Sequence, residues 1–186
     1  MSAYHERSRE LQDRFDTRRL ADSLAEKLSR SAFTAEDKAF VEASSMFFLA
    51  TADAEGRPDC SYKGGVPGFV RVTGASELSF PSYDGNGMFR SLGNVLANPR
   101  VGILFIDFEK PRRLRVLGRA RLEDPDGTFE GAQLMVRVHA EAIFPNCPRY
   151  IHRMQVLETS VYAPCAGHEP PEPGWKKHFK DVLPRS

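Results

Sequence analysis

Hydrophobic positions in this chain recur first every three to four residues and then every second residue, with one further helical stretch among the alternating ones. In residues 16–30, Leu20, Leu24 and Leu28 lie four apart with charged residues between them, which predicts an amphipathic helix opening near a possible cap at Asp16. Its apolar stripe is expected to dock on another surface. Thr34 to Asp37 is a capping-box-like start, with Asp in place of the preferred Glu, for a second helix burying Phe40, Val41 and Ala43.

From Ser45 the period changes. Met46 to Thr51 is short and rich in aromatics, so it reads as a strand, and Ala54-Glu55-Gly56-Arg57 as its turn. A second strand, Asp59 to Lys63, runs into Gly64-Gly65, adjacent glycines that point to close approach by another group. Phe69–Val72 and Glu77–Phe80 flank Thr73 to Ser76 as a hairpin. Met88 to Ala97 is helical in period, with Met88, Phe89, Leu92, Val95 and Leu96 in one stripe, and Asn98-Pro99 stops it. Val101 to Phe108 predicts a strand buried on both faces. In 113–122, Leu114, Val116, Ala120 and Leu122 alternate with Arg113, Arg115, Arg119 and Arg121, a half-exposed strand with an arginine face. Residues 134–144 alternate again, Val136, Val138, Ala140, Ala142 and Phe144 opposing Met135, Arg137, His139, Glu141 and Ile143.

Several short strands with few helices between them predict an antiparallel barrel or sandwich and argue against a doubly wound nucleotide fold. The expected organisation is an N-terminal helical brace (1–44), a barrel (45–162) and a Pro-rich C-terminal tail (163–186), within about one domain's length. With 26 basic against 25 acidic residues and a net charge of +1, the chain has no bulk attraction for nucleic acid or anionic lipid, so any anion site is local. No apolar run has membrane-spanning length, and the charged Met1–Arg19 segment does not read as a secretion signal, so a cytoplasmic protein is expected. Cys60, Cys147 and Cys165 lack metal-ligand spacing; no metal is expected, and Cys60 and Cys147 read as buried small hydrophobes.

Candidate chemistry concentrates in three segments. In residues 80–94 a strand ends, a Gly- and Asn-rich loop follows, and a helix opens with Arg90 and Ser91 in its first turn. Free N–H groups there favour an anion, although Asn86 capping the helix accounts for the same composition. Ser61 and Lys63 share one strand face and suit the same anion, or form a solvated edge. Arg113 and Arg115 offer two more cations, or a solvated stripe. The histidines read as surface groups, and no catalytic acid or base is assigned.

The run Ser61-Tyr62-Lys63-Gly64-Gly65-x-Pro67-Gly68-Phe69-Val70-Arg71-Val72, then Phe80-Pro81-x-Tyr83-x-Gly85-Asn86, Phe89-Arg90-x-Leu92-Gly93-Asn94, Asn98-Pro99-Arg100-Val101-Gly102-x-Leu104-Phe105-x-Asp107-Phe108 and Leu117-Gly118-Arg119-Ala120 resembles the pyridoxamine 5'-phosphate oxidase-like, FMN-binding split-barrel family. The resemblance covers roughly residues 40–160, and Cys147-Pro148-Arg149-Tyr150-Ile151-His152 is similar to an uncharacterised branch.

It implies a mainly β, antiparallel split barrel with peripheral helices, forming a homodimer with FMN between subunits and acting as an oxidoreductase on a small substrate. By the same resemblance Ser61, Tyr62, Lys63 and Gly64 line the cofactor, Phe80 and Pro81 end the next strand, and Arg90 grips the phosphate beside Ser91. Asn86 and Asn94 belong to the branch, Arg113 lies at or near a cofactor-contacting glutamine with Arg115 beside it, and Trp175 covers the flavin from the partner or anchors the tail. Two departures stand out. Ser91 occupies the place of the oxidase's second phosphate-binding lysine, and its C-terminal substrate-binding pair has no counterpart, so vitamin B6 oxidation does not carry over. The rival readings are a flavin carrier or sensor without turnover, a haem-binding split barrel and a user of the deazaflavin F420.

Overall fold

The computed structural model describes residues 4–184. Met1–Ala3 and Arg185–Ser186, the extremes of the expected brace and tail, lie outside the described residues. Three helices, α1 (Glu6–Arg14), α2 (Arg18–Leu28) and α3 (Ala35–Ala43), precede the strands β1 (Met46–Ala52), β2 (Pro58–Gly64), β3 (Arg71–Gly74) and β4 (Glu77–Tyr83). Then come α4 (Arg90–Ala97) and the strands β5 (Arg100–Asp107), β6 (Arg112–Glu123) and β7 (Ala132–Pro145). All seven strands form one antiparallel sheet in the order β2-β1-β5-β6-β7-β4-β3.

The sheet rolls around a mainly aliphatic core that also holds Phe47, Phe69, Phe80 and Phe105. Phe47 of β1 meets Phe80 of β4 edge-on at 4.8 Å, Phe105 of β5 at 5.3 Å and Phe69 at 5.7 Å between ring centroids, so strands distant in sheet order share one core. Each fully buried Phe stabilises the fold by about 1.5–3 kcal/mol. The end strands β2 and β3 do not pair. Helix α3 packs on β3, its Glu42 accepting from Val72 N at 3.1 Å on its carboxylate and from Gly68 N at 2.7 Å on its carbonyl. This is an antiparallel split barrel, as expected. No helix among the described residues is long and apolar enough to cross a membrane.

Several local expectations are corrected. The helix expected from Asp16 starts two residues later; Asp16 takes φ +51° in the corner between α2 and α1, a helix the periodicity does not predict because Leu11 is its only apolar residue. Leu20, Leu24 and Leu28 are 39–60% exposed, so the expected docking stripe is not buried among the described residues. In α3 Val41 is buried and Phe40 half-buried, but Ala43 is exposed. In α4 only Leu92 and Val95 of the expected stripe are buried, since Met88 and Phe89 precede the helix and Leu96 faces solvent. Phe69 and Val70 are core residues lying before β3 begins. β5 buries one face fully and the other only partly. Cys60 and Cys147 are exposed, Cys60 because it alternates with the inward residues of β2 and Cys147 because it follows the end of β7.

The alternation in β7 also breaks. Leu117 pairs with Ala142 but Gly118 with Ala140, so Glu141 is an extra residue and every later side chain changes face. Ile143 is therefore buried, while Ala142 and Phe144 face outward beside Leu117 and Arg115. A Cβ on Gly118 would lie 2.1 Å from the His139 carbonyl oxygen, so this bulge admits only glycine.

Candidate functional site

Period 2 sorts β2 into two faces. Asp59, Ser61 and Lys63 pair opposite Thr51, Leu49 and Phe47 and so point toward the barrel's inner side, while Cys60 and Tyr62 point outward. Beyond the inner face lies α4, whose Leu92 and Val95 anchor it in the core. Between β2, the end of β4, loop 84–89 and the first turn of α4 opens a cleft of about 360 Å³, within the range of small-molecule sites.

Loop 84–89 places the start of α4 in an unusual way. Asn86 Oδ1 accepts from Met88 N at 3.0 Å, closing a turn ahead of the helix rather than capping it. Phe89 follows as N-cap at φ +47°, in the left-handed region, and no described side chain bonds the N–H groups of the first turn. Those donors and the positive end of the helix dipole are open to an anion. Ser91 Oγ donates to Asp59 Oδ2 at 2.8 Å and lies 3.0 Å from Ser61 Oγ; Arg90 Nε is 3.9 Å from Asp59 Oδ1. Burial pushes the Lys63 ammonium below the usual lysine value, partly offset by the charge of Asp59. Burial likewise pushes the Tyr83 phenol up, keeping it a donor at neutral pH. Two cations, two serine hydroxyls and an uncapped helix start thus share one cleft. The residues suit a phosphate, the terminal group of FMN.

Of the expected residues, Ser61, Lys63, Asn86, Arg90 and Ser91 line this cleft together. Tyr62 lies on the outer face, edge-on to Phe48 at 6.2 Å, and lines a second groove with Met46, Ile106 and Met154. Arg113 and Arg115 alternate with buried Leu114 and Val116, so they too belong to the outer face, and the sheet separates them from the cleft of the same protomer. Phe80 points into the core, and Pro81, its neighbour on β4, is buried on the opposite face. Asn94, one turn into α4, donates to Thr51 Oγ1 at 3.0 Å. Gly64 and Gly65 are closely approached, as expected, but by Tyr62 and Phe69 of the same chain. Trp175 packs edge-on against Phe179 at 6.1 Å, and the tail is tied to the cleft rim by Lys176 Nζ on Asp84 Oδ2 at 2.6 Å. Sequence reasoning missed Asp59, Ser82, Tyr83 and Gln133 of the lining; alternation from Ser61 would have found Asp59.

The fold and cleft define a split-barrel protein with a site suited to an anionic small molecule. The profile for pyridoxamine 5'-phosphate oxidase matches residues 33–161, and the chain belongs to that family. A pyridoxine/pyridoxamine 5'-phosphate oxidase of Bordetella petrii is 30% identical over 128 residues, a match spanning 67% of this chain and 57% of that relative. Among solved structures, a putative pyridoxamine 5'-phosphate oxidase from Lactobacillus delbrueckii is similar with a TM-score of 0.51 and 22% identity, covering 62% of this chain and 95% of its own. HupZ from Group A Streptococcus is similar with a TM-score of 0.50 and 20% identity, over 66% and 99% respectively. At these identities the two structures speak to the fold alone.

Proposed function

We propose that this protein is an FMN-dependent oxidoreductase acting on an unidentified small molecule. The observation that carries this reading is the bare N-terminus of α4 facing Ser61 and Lys63 across one cleft, with Arg90 in its first turn. In this reading the first-turn N–H groups, Arg90, Lys63 and Ser61 hold the phosphate, and Asn86 keeps the loop clear of the helix end. Bound FMN would supply hydride or electron transfer. The half-buried outer face around Phe48, Leu104 and Leu117 meets a second copy of the chain. Such a homodimer is what brings Tyr62, Arg113 and Arg115 toward a flavin ring, since the sheet keeps them apart from the cleft of their own protomer.

Titrating the purified protein with FMN tests this. A charge-assisted bond contributes about 1.5–3 kcal/mol, so Arg90→Ala should weaken FMN binding by about tenfold to a hundredfold. Its side chain is 68% exposed, so thermal stability without flavin should stay the same. Unchanged FMN affinity in this variant removes the assignment. Steady-state turnover with a reduced nicotinamide and oxygen or a dye separates an enzyme from a flavin carrier. A Soret band, or selective binding of F420 over FMN, transfers the site to another cofactor.

A further inference from the structure

A carboxylate is an unexpected group to find in a phosphate site. Asp59 lies on the same strand face as Ser61 and Lys63, and its side chain is 20% exposed within the cleft lining. Its Oδ2 takes the hydroxyl hydrogen of Ser91, and its Oδ1 stands 3.9 Å from Arg90 Nε. Two consequences follow from chemistry alone. Ser91 has one hydrogen to donate, and while Asp59 holds it that hydrogen is not available to a ligand. The negative charge of Asp59 also faces any anion that Arg90 and Lys63 attract, and repulsion grows in proportion to the ligand's charge.

We propose that Asp59 sets the charge this cleft accepts, opposing a doubly charged phosphate monoester more than a singly charged phosphodiester and leaving an uncharged ligand unaffected. The proposal rests on the flavin reading above and concerns the end of the ligand that Arg90 holds. It makes Asp59 a specificity residue, one that narrows the advantage a terminal phosphate would otherwise have over an esterified one. Arg90 and Lys63 draw the anion in, Ser91 is kept as a fixed partner of Asp59, and the remaining hydroxyl donor of the pair is Ser61.

The experiment compares three probes that share the ring and ribityl chain: FMN, riboflavin 5'-methylphosphate and riboflavin, carrying two, one and no phosphate charges near pH 8. Flavin fluorescence quenching gives each dissociation constant for the wild-type and for Asp59→Asn, which keeps the shape and an acceptor for Ser91 while removing the charge. The expected gain in Asp59→Asn is about tenfold for FMN, about threefold for the methyl ester and none for riboflavin, because the energy removed scales with ligand charge. An equal change for all three probes, or weaker FMN binding, overturns the proposal. Should the variant fail to fold, the wild-type still decides: FMN and its methyl ester within about threefold support the proposal, and a preference for FMN above about a hundredfold overturns it. FMN binding that is lost in Arg90→Ala but lacks this grading sinks the role of Asp59 and leaves the flavin site standing. Wild-type protein that binds none of the probes ends both.

Discussion

Two helices of this protein begin in opposite ways. At the start of α3 a capping box pairs two backbone donors with side chains: Thr34 Oγ1 accepts from Asp37 N at 3.1 Å, and Asp37 Oδ2 accepts from Thr34 N at 2.9 Å. Arg30 then neutralises Asp37 with bonds of 2.5–3.0 Å. At the start of α4 no described side chain caps the helix, the N-cap residue is a left-handed Phe89, and the charged residues of the cleft are Arg90, Lys63, Asp59 and Asp84. A capping residue is typically worth about 1 kcal/mol. The chain takes that stabilisation where the helix packs on β3 and forgoes it where the helix faces the cleft. The same backbone end is structural in one place and a ligand-facing group in the other.

The largest break in this comparison is Asp37→Ala. The Asp37 side chain is 3% exposed and its removal takes the carboxylate partner from Arg30, itself 30% exposed, and the acceptor from Thr34 N, so the expected loss is about 1.5–3 kcal/mol of unfolding free energy in urea or thermal melts. Burial alone would push the Asp37 carboxyl up, but the bonds from Arg30 and Thr34 outweigh it and hold it below the ordinary carboxylate value of 3.8. The folded-state value being the lower one, this contribution is fully present above pH 4 or so and is lost as pH falls through it. The acid limb of the wild-type stability curve should therefore flatten in the variant. Arg90→Ala, at the other helix, should do the reverse: a large loss of FMN affinity and no loss of stability. A comparable destabilisation from both substitutions would erase the distinction between the two helix starts.

Thr34→Ala sharpens the contrast with a smaller effect. Removing one cap acceptor should cost about 1 kcal/mol and leave FMN affinity unchanged, as read from chemical unfolding and flavin titration of one preparation. A weakened flavin site in this variant would mean that α3 also shapes the cleft.

Much of the barrel was legible because its strands obey period 2 wherever one face is buried; the arginine and aliphatic positions of β6 alternate as they do in the structure. The reading failed where a local event overrode the period. Glu141 inserts one residue and turns Ala142 and Phe144 outward, an effect of pairing with β6 that no stretch of β7 announces by itself. Helix α1 escaped notice because Leu11 is its only apolar residue, so it carries no apolar stripe, whereas α2, which also buries nothing, does. In the cleft, Ser61, Lys63, Arg90 and Ser91 were found from their short segments, since each segment is a regular strand or the start of a helix. Asp59 was passed over because an acid does not advertise an anion site. Tyr62 was assigned to the cofactor by resemblance, Arg113 by both resemblance and its place on the arginine strand, and Arg115 by that strand alone; the alternation of their strands puts all three on the face away from this cleft.

The smallest and most diagnostic effect belongs to Lys63. In the folded protein without ligand its ammonium is disfavoured by burial, and its folded-state pKa lies below the ordinary 10.5 of the unfolded chain. Between those two values the unfolded state binds more protons, so stability attributable to this group rises with pH across that window. Lys63→Met removes the buried charge: its stability should match or exceed that of the wild-type by no more than about 1 kcal/mol at neutral pH, and the alkaline slope should disappear. Flavin binding should move the other way. A phosphate beside Lys63 favours the charged form, so binding takes up a proton in the same window and wild-type FMN affinity falls as pH climbs through it. In Lys63→Met affinity is weaker throughout and that pH dependence is lost. A lysine that stabilises the ligand-free fold, with FMN binding indifferent to its removal, would make this strand face structural and return the cleft to the same category as the start of α3.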